Sequence, residues 1–150
     1  MLIENVTNTG DLSGGPGKEL VSVSPETTLL DITKVLSGGK IGVVVVLDTA
    51  GKLAGILSER NIITAIAKHG PQALDRQATE AMTVDVKTCS PKDNPKDVIN
   101  AMSKGKFRHM PIIANGRLVG LVSSTDILRY LSNNMTPDEQ FHLWVKSLWI

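Results

Sequence analysis

Aromatic residues are scarce in this chain: Phe, Trp and Tyr together make up 3% of its 150 residues. A surface that stacks the bases of a single-stranded nucleic acid needs more rings than that. Charge of one sign is lacking as well. Sixteen Lys and Arg face 15 Asp and Glu, for a formal net charge of +1, so no global field draws in nucleic acid or an anionic membrane. The single cysteine, Cys89, excludes an internal disulfide framework and a cysteine-built metal cluster, and such usage points to a reducing compartment. Long hydrophobic runs are missing too. The longest purely apolar stretch, Val43 to Leu47, is far below the ~20 residues of a membrane-spanning helix. The first basic residue is Lys18, so the basic region of a secretory signal is absent. The expectation is a soluble cytoplasmic protein with neither a nucleic-acid nor a membrane partner.

What is present is ordinary globular composition, with 41% hydrophobic and 21% charged residues, in a length that fits one compact domain or two small fused halves. The halves are visible because the chain repeats itself. Val23-Ser24-Pro25 returns 66 residues later as Cys89-Ser90-Pro91. Gly55-Ile56-Leu57-Ser58 returns 65 residues later as Gly120-Leu121-Val122-Ser123. The lost residue falls in the turn between them, where Asp48-Thr49-Ala50-Gly51-Lys52 becomes Ala114-Asn115-Gly116-Arg117.

Each copy reads alike. Ser24 and Ser90 suit the cap of a helix that starts at Pro25 or Pro91, since serine supplies an acceptor and proline leaves no N–H orphaned. The helix that follows carries apolar residues at helical spacing: Leu29, Ile32 and Leu36, then Val98, Ala101 and Met102. A short β-branched run follows, Val43 to Leu47 or Met110 to Ile113, which favours a buried strand. A turn leads to a second strand, Leu53 to Leu57 or Leu118 to Val122. Asn115-Gly116 is a strong hairpin signal because both residues tolerate positive φ. A second helix closes each copy, with Ile62 and Ile66 matching Ile127 and Leu131. One such unit has one apolar sheet face, and two units can cover each other, so a pseudo-two-fold pair is expected. Residues 1–18, rich in glycine from Gly10 to Gly17, read as a loop. Residues 19–70 and 85–132 are the repeats, and 71–84 the linker. In the extension 133–150, Thr136-Pro137-Asp138-Glu139 reads as a capping box opening a helix whose apolar stripe is Phe141, Trp144, Val145 and Leu148.

Gly-Ile-Leu-Ser-Glu-Arg-Asn (55–61), Gly-Leu-Val-Ser-Ser-Thr-Asp (120–126), Phe-Arg-His-Met-Pro-Ile (107–112) and the linker Ala81-Met82-Thr83, in this doubled order, resemble the CBS-domain family, in particular its stand-alone bacterial tandem pairs. The resemblance covers residues 19 to 132. It implies an α/β fold of two β-α-β-β-α repeats, an adenosyl nucleotide (AMP, ATP or NAD) bound in the cleft between them without a metal, and pairing of two chains into a homodimer.

The residues admit two readings at each candidate position. Ser123 is the natural cap of the helix after the second repeat's last strand, and Asp126 falls three residues on, so the pair suits a capping arrangement. The same helix start offers N–H groups to a phosphate, and a carboxylate accepts hydrogen bonds from vicinal ribose hydroxyls. The resemblance assigns the second role: Ser123 on the phosphate side and Asp126 on the ribose, with Thr125 in the same site. Arg108 and His109 are either a solvated strand rim or the cations that neutralise the phosphate, with Met110 and Pro111 beside the base. The resemblance also brings Ser22 and Val23 to the Asp126 site, and Val86 and Thr88 to a second, weaker site built on Ser58, Arg60 and Asn61. That site is weaker because Asn61 offers a neutral amide where a carboxylate is usual, and because Gly42 and Val43 replace Arg108 and His109.

Other patterns fall away. Gly17-Lys18 lacks the spacing and the Ser/Thr of a P-loop. His69, His109, His142 and Cys89 share no metal-ligand spacing. Ser58 and Ser123 lack a hydrolase elbow, and no acid–base pair stands out. The expectation is a non-catalytic adenine-nucleotide sensor acting on a regulated protein. The alternative is a protein–protein interaction or dimerisation scaffold with non-functional nucleotide pockets. Catalysis is a distant third.

Overall fold

The structure, a computed structural model, describes residues 2–6 and 20–148; the glycine-rich stretch Gly10 to Gly17 lies outside them. The chain divides into two compact units, and each repeat builds one of them.

In the unit Leu20–Val86, strand β1 (Ser22–Val23) runs parallel to β2 (Val43–Leu47), which pairs antiparallel with β3 (Leu53–Ser58). Helix α2 (Leu29–Gly39) crosses between β1 and β2, and α3 (Glu59–His69) follows β3. The core is what the helical spacing predicts. Leu29, Ile32 and Leu36 of α2 pack with Val44, Val46, Leu57 and Ile62. Ile66 does not join them; it is 37% exposed. The linker continues as two short 3₁₀ turns, Pro71–Asp75 and Ala78–Glu80. It then returns to the sheet, where Thr83 bridges Ile56. Gly55 permits that return, because a β-carbon there would lie 2.7 Å from the Met82 sulfur and 2.7 Å from the Thr83 carbonyl oxygen.

The unit containing Lys87–Ile150 repeats the plan with α4 (Pro95–Gly105), β4 (His109–Ala114), β5 (Arg117–Ser123) and α5 (Ser124–Asn134). Its opening strand is reduced to one parallel bridge, Cys89 to Ile112. Asn115 and Gly116 both have positive φ, 51° and 75°, so the Asn-Gly pair makes the tight turn its sequence signals. Val98, Met102, Ile112, Val122, Ile127 and Leu131 form the core. Ile99 is buried with them, whereas Ala101 is exposed.

Helices α2 and α4 start later than the Ser-Pro steps suggest. Thr28 caps α2 by accepting from Asp31 N, and Asn94 caps α4 by accepting from Lys96 N, with Pro95 as first helical residue. Ser24 and Ser90 open tight turns instead, donating their N–H groups to Thr27 Oγ1 and Asp93 Oδ2. Both helices end alike, at Lys40 and Lys106 in left-handed conformation.

Two further elements complete this unit. The short α1 (Ile3–Val6) buries Ile3 and Val6 in its core. Ile3 N donates to Asp93 O at 2.9 Å and Glu4 N to Pro91 O at 3.0 Å, and Lys92 pairs with Glu4 at 2.6 Å. Helix α6 (Pro137–Ser147) starts at the expected capping box: Thr136 N donates to Glu139 Oε2 and Glu139 N to Thr136 Oγ1. Leu143 is buried, while Phe141, Trp144 and Leu148 are each about 60% exposed.

Candidate functional site

Each repeat builds the same local geometry where its last strand becomes its last helix. At the start of α5, Ser123 Oγ accepts from Asp126 N at 3.1 Å. Asp126 Oδ2 reaches back to Ser123 N at 3.3 Å and to Ser123 Oγ at 2.7 Å. At the start of α3, Ser58 Oγ accepts from Asn61 N at 3.4 Å, and Asn61 Oδ1 accepts from Ser58 N and Ser58 Oγ, both at 2.8 Å. Both are capping boxes, so the capping reading holds in both copies. The preceding loop adds one more bond: Ser124 N donates to Arg108 O at 2.8 Å, and Glu59 N to Gly42 O at 3.0 Å. Of the first three N–H groups of α5, two are thus taken within the protein. The Thr125 N–H is the one these two bonds do not use.

The difference between the copies lies in the remaining atom of the capping side chain. Asp126 Oδ1 is an anionic acceptor, 3.5 Å from Arg129. Arg129 is 65% exposed, and such a pair is worth about 0.2–1 kcal/mol, so a competing donor can displace it. Asn61 presents a donor there, its Nδ2 lying 3.5 Å from Thr83 Oγ1. A donor cannot accept from a ribose hydroxyl.

The β4–β5 ladder sets His109 directly opposite Ser123, and Met110 opposite Val122. Side chains alternate along a strand, so His109 shares the face of Ser123 whereas Met110 lies on the other. Arg108, His109, Ser123, Thr125 and Asp126 are therefore brought together, with Arg108 and Thr125 exposed. Pro111 is buried, and its carbonyl accepts from Cys89 N. Ser22 and Val23 form β1 of the other unit, against Val45 and Val46. Arg60 is exposed on the first turn of α3, and Val86 ends that unit.

Met110 and Thr88 meet elsewhere, in a concavity of about 680 Å³ against α4. Cys89, Val98 and Phe107 help to line it, with Asp93, Asp97, Lys87 and Lys104 at its edges. Sequence reasoning missed this concavity. Its signal was small: Ala101 stands where the first repeat has Val35, and Phe107 where it has Ile41. Burial and the nearby Asp93 carboxylate push the Cys89 thiol up to about 12, so it stays protonated at neutral pH and is a poor nucleophile. Among the described residues no cluster of His, Cys, Asp or Glu could hold a metal ion, and no helix is long and apolar enough to cross a membrane.

The doubled repeat has its counterpart among known proteins. The CBS domain matches residues 10–68 and 78–133. This chain belongs to the CBS-domain family. It is similar to an uncharacterised 17.7 kDa protein of Acidianus ambivalens, 34% identical over 110 residues, which are 73% of this chain and 65% of that protein. Among curated relatives, the chain spans 65% of that protein and 34% of an uncharacterised protein of Methanocaldococcus jannaschii. Among solved structures, a CBS-domain protein from Agrobacterium tumefaciens superposes with a TM-score of 0.77 at 30% identity, over 85% of this chain and 91% of that one. A CBS-domain pair crystallised with 5′-methylthioadenosine and S-adenosyl-L-methionine has the same fold, with a TM-score of 0.73 at 23% identity over 90% and 98% of the two chains. The relatives include archaeal proteins, so the bacterial character of the resemblance has no special weight.

Proposed function

We propose that the protein is a regulatory module that binds an adenosyl ligand and carries no catalytic activity of its own. The observation that carries this reading is the Asp126 carboxylate, fixed at the start of α5 with one anionic oxygen paired to an exposed arginine. His109 stands opposite Ser123, and Arg108 adjoins the same helix start. A ribose diol fits the carboxylate, and a phosphate fits the cations and the Thr125 N–H. Pro111 backs this main site. Ser58, Arg60, Asn61 and Val86 make the weaker one. The ligand is AMP, ATP, NAD or a related adenosyl compound, bound without a metal. The setting is cytoplasmic, the chain pairs as a homodimer, and ligand binding alters its affinity for a regulated protein.

Calorimetric titration of the full chain with AMP, ATP, NAD and S-adenosylmethionine tests the reading. At least one is expected to bind at micromolar to sub-millimolar concentration. Silence from all four at millimolar concentration overturns it. One observation favours a second reading, an interaction scaffold: the exposed apolar stripe of α6 is larger than solvated helices usually carry. That reading takes over if no ligand binds.

A further inference from the structure

Helix α6 lies outside the two repeats and is fastened to its unit along the side that carries Leu143. That residue is buried in the core. Gln140 Nε2 donates to Ser132 O at 2.5 Å and to Met135 O at 3.1 Å, and Lys96 lies 3.7 Å from Glu139. These contacts fix which way the helix is turned. Away from them stand Phe141, Trp144, Val145 and Leu148, at the three- and four-residue steps that share one helical face. Phe141, Trp144 and Leu148 are each about 60% exposed and Val145 39%.

With about 150–250 Å² for each aromatic side chain, those fractions amount to roughly 400 Å² of apolar surface in one stripe. A standard interface buries about 800 Å² per partner, a little over half of it apolar. The stripe alone supplies nearly all of that apolar share. Elsewhere the described residues expose large apolar side chains in ones and twos: Leu30, Val84, and Ile63 with Ile66.

The order of the side chains names the occupant. The four positions are symmetric about the link between residues 144 and 145. When a second α6 packs antiparallel across a two-fold axis at that link, Phe141 meets Leu148 of the second copy and Trp144 meets its Val145. Each ring faces a smaller aliphatic group, so the stripe complements itself, as a two-fold interface requires. A lipid surface fits less well. Helices that lie on membranes set Lys and Arg on their polar face. Residues 137–148 carry Asp138 and Glu139 against the single Lys146, a net charge of −1.

We propose that α6 is the pairing helix of this chain, docking antiparallel on the α6 of a second copy with Phe141 on Leu148 and Trp144 on Val145. The inference rests on the homodimer of the proposed reading and not on its ligand.

Sedimentation velocity of the full chain at micromolar concentration tests it, with Trp144→Lys and Val145→Glu as variants. Each alone is expected to weaken pairing roughly a hundredfold or more and to run as a monomer, since a charge would be buried without a partner. Mixed in equal amounts, the two are expected to recover the dimer. The new ammonium then faces the new carboxylate, and the remaining Trp144 and Val145 meet as in the parent. Circular dichroism establishes that each variant is folded. Phe141→Lys with Leu148→Glu forms a second pair of the same logic should either fail to fold. Variants that stay dimeric would overturn the α6 pairing and leave the homodimer to another face. Variants that remain monomeric when mixed would overturn the antiparallel register. A monomeric parent would sink the pairing and the homodimer together, with the adenosyl-ligand reading untouched. Cosedimentation of that monomer with vesicles of phosphatidylcholine and phosphatidylserine would give the stripe to lipid instead.

Discussion

At the scale of single residues, Asp126 and Asn61 do the same structural work with different chemistry. Each closes a capping box, yet only Asp126 keeps an anionic oxygen to offer. Asp126→Ala is therefore expected to weaken a ribose-phosphate ligand by roughly ten- to a hundredfold, the worth of hydrogen bonds to a charged group. Asn61→Ala is expected to cost less. Titration of both variants with AMP, after their folds are established, checks the order; the reverse order would invert the assignment. The sequence made this pair legible because cap and ligand readings use the same residues. It hid the α4 pocket, because a pocket is made by what is small: Ala101 and Gly105 announce nothing until Phe107 is seen against them. Cys89 gives a test through pH. Its thiol is raised from 9.0 to about 12 in the folded chain, so the unfolded chain loses this proton first. Its contribution is full below pH 9 and declines as pH rises toward 12, with a limiting slope of about 1.4 kcal/mol per pH unit. Urea denaturation between pH 8 and 11 is expected to show a steeper loss for the parent than for Cys89→Ala.

Among the elements, helix α6 has two characters. Leu143 belongs to the core of its unit, whereas Phe141, Trp144, Val145 and Leu148 are exposed. Leu143→Ala is expected to cost about 2–5 kcal/mol of stability, as a large-to-small change in a core does. Phe141→Ala is expected to leave stability within ~0.5 kcal/mol. Thermal and chemical denaturation of the two variants separate these outcomes; similar losses would mean the stripe is itself packed. The helix and its cap were readable from Thr136-Pro137-Asp138-Glu139. Which face turns inward was not, because apolar residues lie on both sides. Helix starts proved least legible: Ser24 and Ser90 look like caps, but Thr28 and Asn94 cap α2 and α4, and the serines open turns closed on Thr27 and Asp93.

For the whole molecule, the repeat was the most readable feature, because two copies of one pattern check each other; the strand-helix-strand-strand-helix order follows from it. Assembly is where composition and structure combine. Ile63 is 65% exposed on α3 and Trp144 59% on α6, surfaces that favour association. Light scattering at micromolar concentration is expected to give the mass of two chains. A chain lacking residues 136–150 is expected to associate more weakly; an unchanged dimer would remove α6 from the interface, and a monomeric parent would remove the dimer.

The seat of α1 also orders events in time. Ile3 and Val6 lie in a core formed by residues 89–143, with backbone bonds to Pro91 and Asp93. A ribosome releases these residues early, but their docking place does not exist until most of the chain has been made. The unit Leu20–Val86 can be folding meanwhile, as domains do during synthesis. Synthesis thus leaves two apolar side chains waiting for a late-built surface, and α1 is among the last pieces to be fastened.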